Sequence, residues 1–204
     1  SYQNTLFHRT EKGFVAQGGG FRYSGNNTAP FSAVATQAAI KNEPKWSNVR
    51  GTIAMAKISG NANSATNQWF INLADNSSNL DLQNGGFSVF GQVTGTGMDI
   101  VDAIAALPNQ LLTDPNFSSV PLRNYSAADA QAKVPVTAAN MILIESITVV
   151  NNDVNSASAL QPKANTLITT PAPETGSSSG GSTGLLGLLA GLLVWTGRRS
   201  HAKS

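Results

Sequence analysis

Five short apolar segments, each bounded by glycine or turn-forming residues, constrain the fold of this chain more than any other feature. They are 13–17 (GFVAQ), 51–56 (GTIAMA), 68–73 (QWFINL), 87–93 (FSVFGQV) and 141–150 (MILIESITVV). All are of strand length. The first reads as a strand ending in a glycine turn. The third alternates polar and apolar residues, and the last, rich in β-branched side chains, is the clearest strand of the set. Only 97–107 carries a helical period, with Met98, Ile100, Val101, Ile104 and Leu107 on one face. Many short strands with one helix favour an antiparallel barrel or sandwich. Residues 108–138 contain Pro108, Pro115, Pro121 and Pro135, and read as a long loop before the last strand.

The chain divides into three zones: a domain at 1–150, a polar linker at 151–183 rich in Ser, Gly and Pro, and an apolar stretch with a basic end at 184–204. Cysteine is absent, which excludes a disulfide framework, a zinc-thiolate site and a cysteine nucleophile. The net charge of +2 is misleading, because Arg198, Arg199 and Lys203 sit at the extreme end. Without those three, ten basic residues (13 − 3) face eleven acidic ones. The body is nearly neutral, and no basic patch points to nucleic acid. Charged residues make up only 12% of the chain, with Asn, Ser, Thr, Ala and Gly filling the gap, a mix common in secreted bacterial proteins.

Residues 7–20 read FHRTEKGFVAQGGG. No Ser/Asp pattern accompanies His8, so it reads as a structural strand residue rather than a general base. Gly18-Gly19-Gly20 lacks the following Lys-Ser/Thr and helix of a phosphate loop, and reads as a tight turn with close backbone approach.

The spacing of Phe7-His8-Arg9, Gly13-Phe14 and Gln17-Gly18-Gly19 closely resembles the signature of the cyclophilins. Two further blocks agree, in the same order: 51–56 with 64–72 (SATNQWFIN), and 87–93. Together they cover residues 2 to 107, and the wording IKNEP and GTIAMAK is most similar to bacterial members, periplasmic ones included. The resemblance implies a mainly β fold, a closed antiparallel barrel capped by helices. It also implies peptidyl-prolyl cis-trans isomerase activity on proline-containing polypeptides, with no cofactor. Arg9 would be the cation that stabilises the twisted amide, and Gln17 would hold Arg9 and reach the substrate backbone. Phe14, Val15, Phe70 and Leu80 would form the pocket for the proline ring. Ala56, Lys57 and Gln68 would line the groove, Lys57 mostly through its backbone, and Phe87 would close the wall. A proline-peptide binding module or holdase without turnover is the rival reading. It would keep Phe14, Phe70 and Leu80 but would not need Arg9, and the presence of both Arg9 and Gln17 favours the enzyme.

Three departures from the family pattern matter. Asn79 stands where many members have a Trp, so weak cyclosporin binding is expected. Family members normally carry two strands and a helix before the FHR block, whereas only SYQNTL precedes it here. An N-terminally incomplete barrel with exposed sheet edges is therefore expected. At the other end, Gly180-Gly181, the apolar run 184–197 and Arg198-Arg199 resemble the GlyGly-type C-terminal sorting signals cut by rhomboid-family intramembrane proteases. A permanent membrane anchor through 184–197 is the alternative, although the run is short for a span. Either places the domain outside the cytoplasm, on the periplasmic or cell-surface side of a bacterial envelope.

Overall fold

The computed structural model of the protein describes residues 2–26, 29–110, 117 and 119–168. Its centre is a curled antiparallel sheet. The strands are β1 (Thr5–Glu11), β2 (Val15–Tyr23), β3 (Phe31–Ala33), β4 (Thr52–Met55), β5 (Trp69–Asn72), β6 (Val89–Gln92) and β9 (Leu143–Ile144). They run in the order β6-β4-β5-β2-β1-β9, with β3 paired to β2. A second, two-stranded ladder of β7 (Asn109–Gln110) and β8 (Val120–Pro121) packs against β1, where Thr10 Oγ1 donates to Asn109 Oδ1 at 2.9 Å. Among the described residues there are also three short α-helices, α1 (Ser77–Leu80), α2 (Gly97–Ala105) and α3 (Ala127–Gln131), and two 3-10 turns at Gln83–Gly85 and Ala138–Asn140. The mainly β sheet with helices that the resemblance implies is thus present. Among the described residues its ladder is an open path from β6 to β9, a half-barrel.

Alternation along the strands sends side chains to two opposite faces. One face carries Phe7, Ala16, Trp69, Ile71, Leu73 and Val101, with Met98 and Ile104 of α2 packed against them. The other carries Val15, Ala54, Ala56, Phe70, Leu80 and Phe87. Both faces being covered, all four residues of β5 are buried, and the polar/apolar alternation expected at 68–73 gives way to burial throughout. In α2, Val101 is buried, but Ile100, expected on the same face, is 67% exposed.

Three further expectations are corrected. Gly18–Gly20 do not form a tight turn; they lie inside β2, which continues to Tyr23. The close approach does occur, because the Trp69 ring packs over Gly18 and Gly19. The strand expected at 141–150 shortens to Leu143–Ile144, since β1 offers partners only at Thr5 and Leu6. Ile147, Val149 and Val150 are exposed; β propensity without a neighbouring strand does not make a ladder. The loop expected at 108–138 carries a core of its own, Phe117, Val120, Leu122, Tyr125, Val136 and Met141, on which Phe21 and Phe31 pack. Within the zone read as linker, Lys163 and Asn165 hydrogen-bond to the domain. The apolar run 184–197 lies outside the described residues. Among the described residues no helix is long and apolar enough to cross a membrane.

Candidate active site

Arg9 and Gln17 are register partners across the β1–β2 ladder. Arg9 Nη1 donates to Gln17 Oε1 at 3.4 Å, and Arg9 Nε lies 3.6 Å from Glu11 Oε1. Burial lowers the Arg9 pKa and Glu11 opposes the shift; a guanidinium with so high an ordinary pKa stays charged. Gln17 Nε2 in turn donates to Gln68 Oε1 at 2.8 Å. The Gln68 side chain lies where a Cβ on residue 20 would sit, 2.7 to 2.8 Å from it, so Gly20 leaves the room that this bond requires.

Beside Arg9 opens an apolar pocket lined by Phe14, Val15, Gln17, Ala56, Lys57, Phe70, Leu80 and Phe87. Phe70 and Phe87 meet edge to face, with centroids 5.6 Å apart at 73°, a favourable aromatic geometry. Nine of the ten residues singled out in the sequence come together here. The tenth, Gln68, is bonded to Gln17 rather than lining the pocket.

The Lys57 side chain, expected to matter little beside its backbone, is buried. Its Nζ donates to Asn84 O at 2.8 Å and to Gly86 O, and stands 4.5 Å from the Phe87 ring centre. It therefore ties down the turn that carries Phe87. Burial pulls its pKa down to about 8.

The pocket walls rest on a buried polar network that the sequence did not single out. Phe14 O accepts from Leu73 N at 2.8 Å and from Asn76 Nδ2 at 2.9 Å. Asn76 also donates to Asn72 Oδ1, and Asn72 donates to Thr52 Oγ1. Asp81, fully buried next to Leu80, accepts from Ser47 Oγ, Asn48 N and Asn48 Nδ2. Asn48 Nδ2 reaches Phe87 O at 3.2 Å. Buried polar groups are satisfied in this way or destabilise the fold. The only available signal was a polar residue at the edge of each apolar block, which spacing alone does not distinguish from a surface residue.

His8 does not line the pocket; its ring meets Phe21 edge to face at 4.9 Å and its side chain also hydrogen-bonds with Gln68. Its Nδ1 has no hydrogen-bond partner. Burial, with the neighbouring Arg9 charge, pulls its pKa down to about 4, so the imidazole is neutral at pH 7. The structural reading of His8 agrees with this placement.

A cation held at the rim of an apolar pocket, with the Lys57 amine tied to backbone carbonyls, suits a reaction in which a bond rotates rather than breaks. Comparison with known proteins points the same way. The family model of cyclophilin type peptidyl-prolyl cis-trans isomerase/CLD matches residues 1–126. A peptidyl-prolyl cis-trans isomerase of Acinetobacter baylyi is 46% identical over 110 residues, 52% of this chain and 54% of that protein. Peptidyl-prolyl cis-trans isomerase B of Escherichia coli is 44% identical over 109 residues, 50% of this chain and 62% of the relative. Peptidyl-prolyl cis-trans isomerase A of Dickeya dadantii is 41% identical over 113 residues, 53% and 55% respectively. The chain thus spans a little over half the length of the curated relatives it matches. With more than half of its residues matched by the family model and the Arg9–Gln17 pair set beside the pocket, the chain belongs to the cyclophilin-type peptidyl-prolyl cis-trans isomerase family.

Proposed function

We propose that this chain catalyses cis-trans isomerisation of Xaa-Pro bonds in polypeptides. The observation that carries the reading is the placement of a partly desolvated Arg9, held by Gln17, at the rim of a pocket lined by Phe14, Phe70, Leu80 and Phe87. Lone-pair resonance stiffens the peptide bond, with a rotation barrier of roughly 18–20 kcal/mol. At Xaa-Pro both isomers are populated, and exchange takes tens to hundreds of seconds. In the twisted state the proline nitrogen becomes pyramidal and regains its lone pair. Arg9 donates an N–H to that lone pair, a bond weaker in either planar isomer, and so lowers the barrier selectively. The pocket grips the proline ring while the preceding carbonyl swings. Gln68 sets Gln17, and Gln17 sets Arg9.

The test is two-dimensional NMR exchange on an Ala-Pro peptide with catalytic amounts of the chain. Exchange cross-peaks that fade with Arg9→Ala support the enzyme. A folded chain that binds the peptide without speeding exchange refutes it and leaves a proline-binding module.

The role assigned to this activity is assistance to the folding of exported proteins, from the outer face of a bacterial membrane. It is supported by the low charge and by the Gly180-Gly181, apolar and Arg198-Arg199 arrangement, which suits a rhomboid-type sorting protease. Membrane fractionation of cells expressing the chain, with and without 184–204, tests it. Identical soluble distributions would remove this part of the proposal.

A further inference from the structure

Among the described residues of 151–168, Asn165 alone is buried. Its backbone N–H and both ends of its side-chain amide are hydrogen-bonded. Asn165 N donates to Lys45 O at 2.9 Å, and Nδ2 donates to Asp81 O at 3.0 Å. Oδ1 accepts from Leu167 N at 3.0 Å and Ile168 N at 3.3 Å, which curls the chain into a turn around the side chain. Ser47 N donates to Lys163 O at 2.8 Å, and Ala164 bridges Trp46 in antiparallel fashion. This segment lies beyond residue 126, where the family match ends.

Its contacts fall on the support of the pocket. Residues 45–48 are held on one edge by 163–165, while Ser47 and Asn48 bond the Asp81 carboxylate. Asn48 then reaches Phe87 O, and Asp81 follows Leu80 in the chain. Leu80 and Phe87 are walls of the proline pocket. Asn165 touches both halves of this support, residues 45–48 through its backbone and Asp81 through its amide.

We infer that residues 163–168 clamp the outer wall of the pocket, with Asn165 as a positioning residue that fixes Leu80 and Phe87 for proline binding. The clamp rests on the isomerase reading only for its substrate readout. Because Arg9 and Gln17 lie on β1 and β2, away from the clamp, a loosened wall weakens binding of proline in ground and transition states alike. The loss appears in KM rather than in kcat.

The experiment uses the full chain with Asn165→Asp, which keeps the shape but replaces the donor by a carboxylate facing the Asp81 carbonyl. Hydrogen exchange at the Asn48 and Phe87 amides should quicken about tenfold, as local opening becomes easier. On an Ala-Pro peptide KM should rise about fivefold with kcat within about twofold. Asn165→Ser, which retains a smaller hydrogen-bonding group, should fall between, and replaces Asn165→Asp if that variant does not fold. Unchanged exchange at Asn48 and Phe87 overturns the clamp, as does a fall in kcat at unchanged KM. If the parent chain itself has no isomerase activity, the functional reading fails separately, and the exchange rates alone decide the clamp.

Discussion

Lys57 Nζ sits 4.5 Å from the centre of the Phe87 ring and donates to the carbonyls of Asn84 and Gly86. A buried ammonium thus holds one wall of an apolar pocket. Replacing it by Lys57→Met keeps the stem and removes the charge and the donors. KM for a proline peptide should rise several-fold, by about 1 kcal/mol of lost ground-state binding, with kcat little changed. The pH dependence of stability gives a second check. The folded pKa, about 8, lies below the ordinary 10.5, so between these values the unfolded chain binds more protons. Stability should therefore rise from pH 8 toward 10.5 through this group. Urea midpoints at the two ends of that window should differ less in Lys57→Met.

His8 works in the same direction at lower pH. Its folded pKa of about 4 against 6.5 means the unfolded chain takes the proton first as pH falls. Stability is lost between pH 6.5 and 4, on the order of 3 kcal/mol once both states are protonated. His8→Phe, which keeps the edge-to-face contact with Phe21, should flatten that part of the curve in urea titrations. An unchanged slope would remove His8 as its source.

Two adjacent glycines should differ in what they break. The nearest neighbours of a Cβ at Gly20 would be atoms of the Gln68 side chain, at 2.7 to 2.8 Å. Gly20→Ala should displace Gln68 from Gln17, lowering kcat/KM about tenfold at a stability cost of about 1 kcal/mol. At Gly19, φ is +87° and a Cβ would lie 2.5 Å from Asn67 O and 2.8 Å from Trp69 Nε1. Gly19→Ala should cost about 3 kcal/mol or fail to fold, because backbone and an indole cannot step aside. Thermal unfolding beside NMR exchange separates the two effects.

Asp81→Ala leaves Ser47 Oγ, Asn48 N and Asn48 Nδ2 without the carboxylate that accepts from them. Unpaired buried donors make this change cost about 3 kcal/mol or more, with Asp81→Asn, which keeps one acceptor, costing less. Chemical denaturation of the two variants gives the order.

Much of the site was legible through the resemblance to the cyclophilins, whose matching residues sit here on strands of local identity. Gly13-Phe14, Gln17, Ala56 and Phe70 lie in or beside apolar runs bounded by turns, and the β1–β2 hairpin brings Arg9 opposite Gln17. What could not be read depends on partners distant in sequence. Gly18–Gly20 look like a turn until the Trp69 ring over Gly18 and Gly19 and the Gln68 side chain at Gly20 are known. MILIESITVV looks like a ten-residue strand until β1 proves to offer partners for two of its residues. Phe117, Val120, Leu122 and Tyr125 are scattered among prolines, and only their meeting with Val136 and Met141 makes a core. Lys57 and Asn165 resemble solvated polar residues, and their burial follows from tertiary contacts alone.

The pairing of β1 with β2 steps from Phe7 opposite Gly18 to Arg9 opposite Gln17, two residues against one. In an unbroken strand Phe7 and Arg9, two apart, would share a face. The extra residue, His8, shifts the phase of the strand, so that Phe7 joins Trp69 in the interior while Arg9 emerges at the pocket. A strand in perfect alternation would force a choice between anchoring the hairpin and exposing its cation. One inserted residue lets an aromatic ring and a guanidinium, set two positions apart, serve opposite sides of the same sheet.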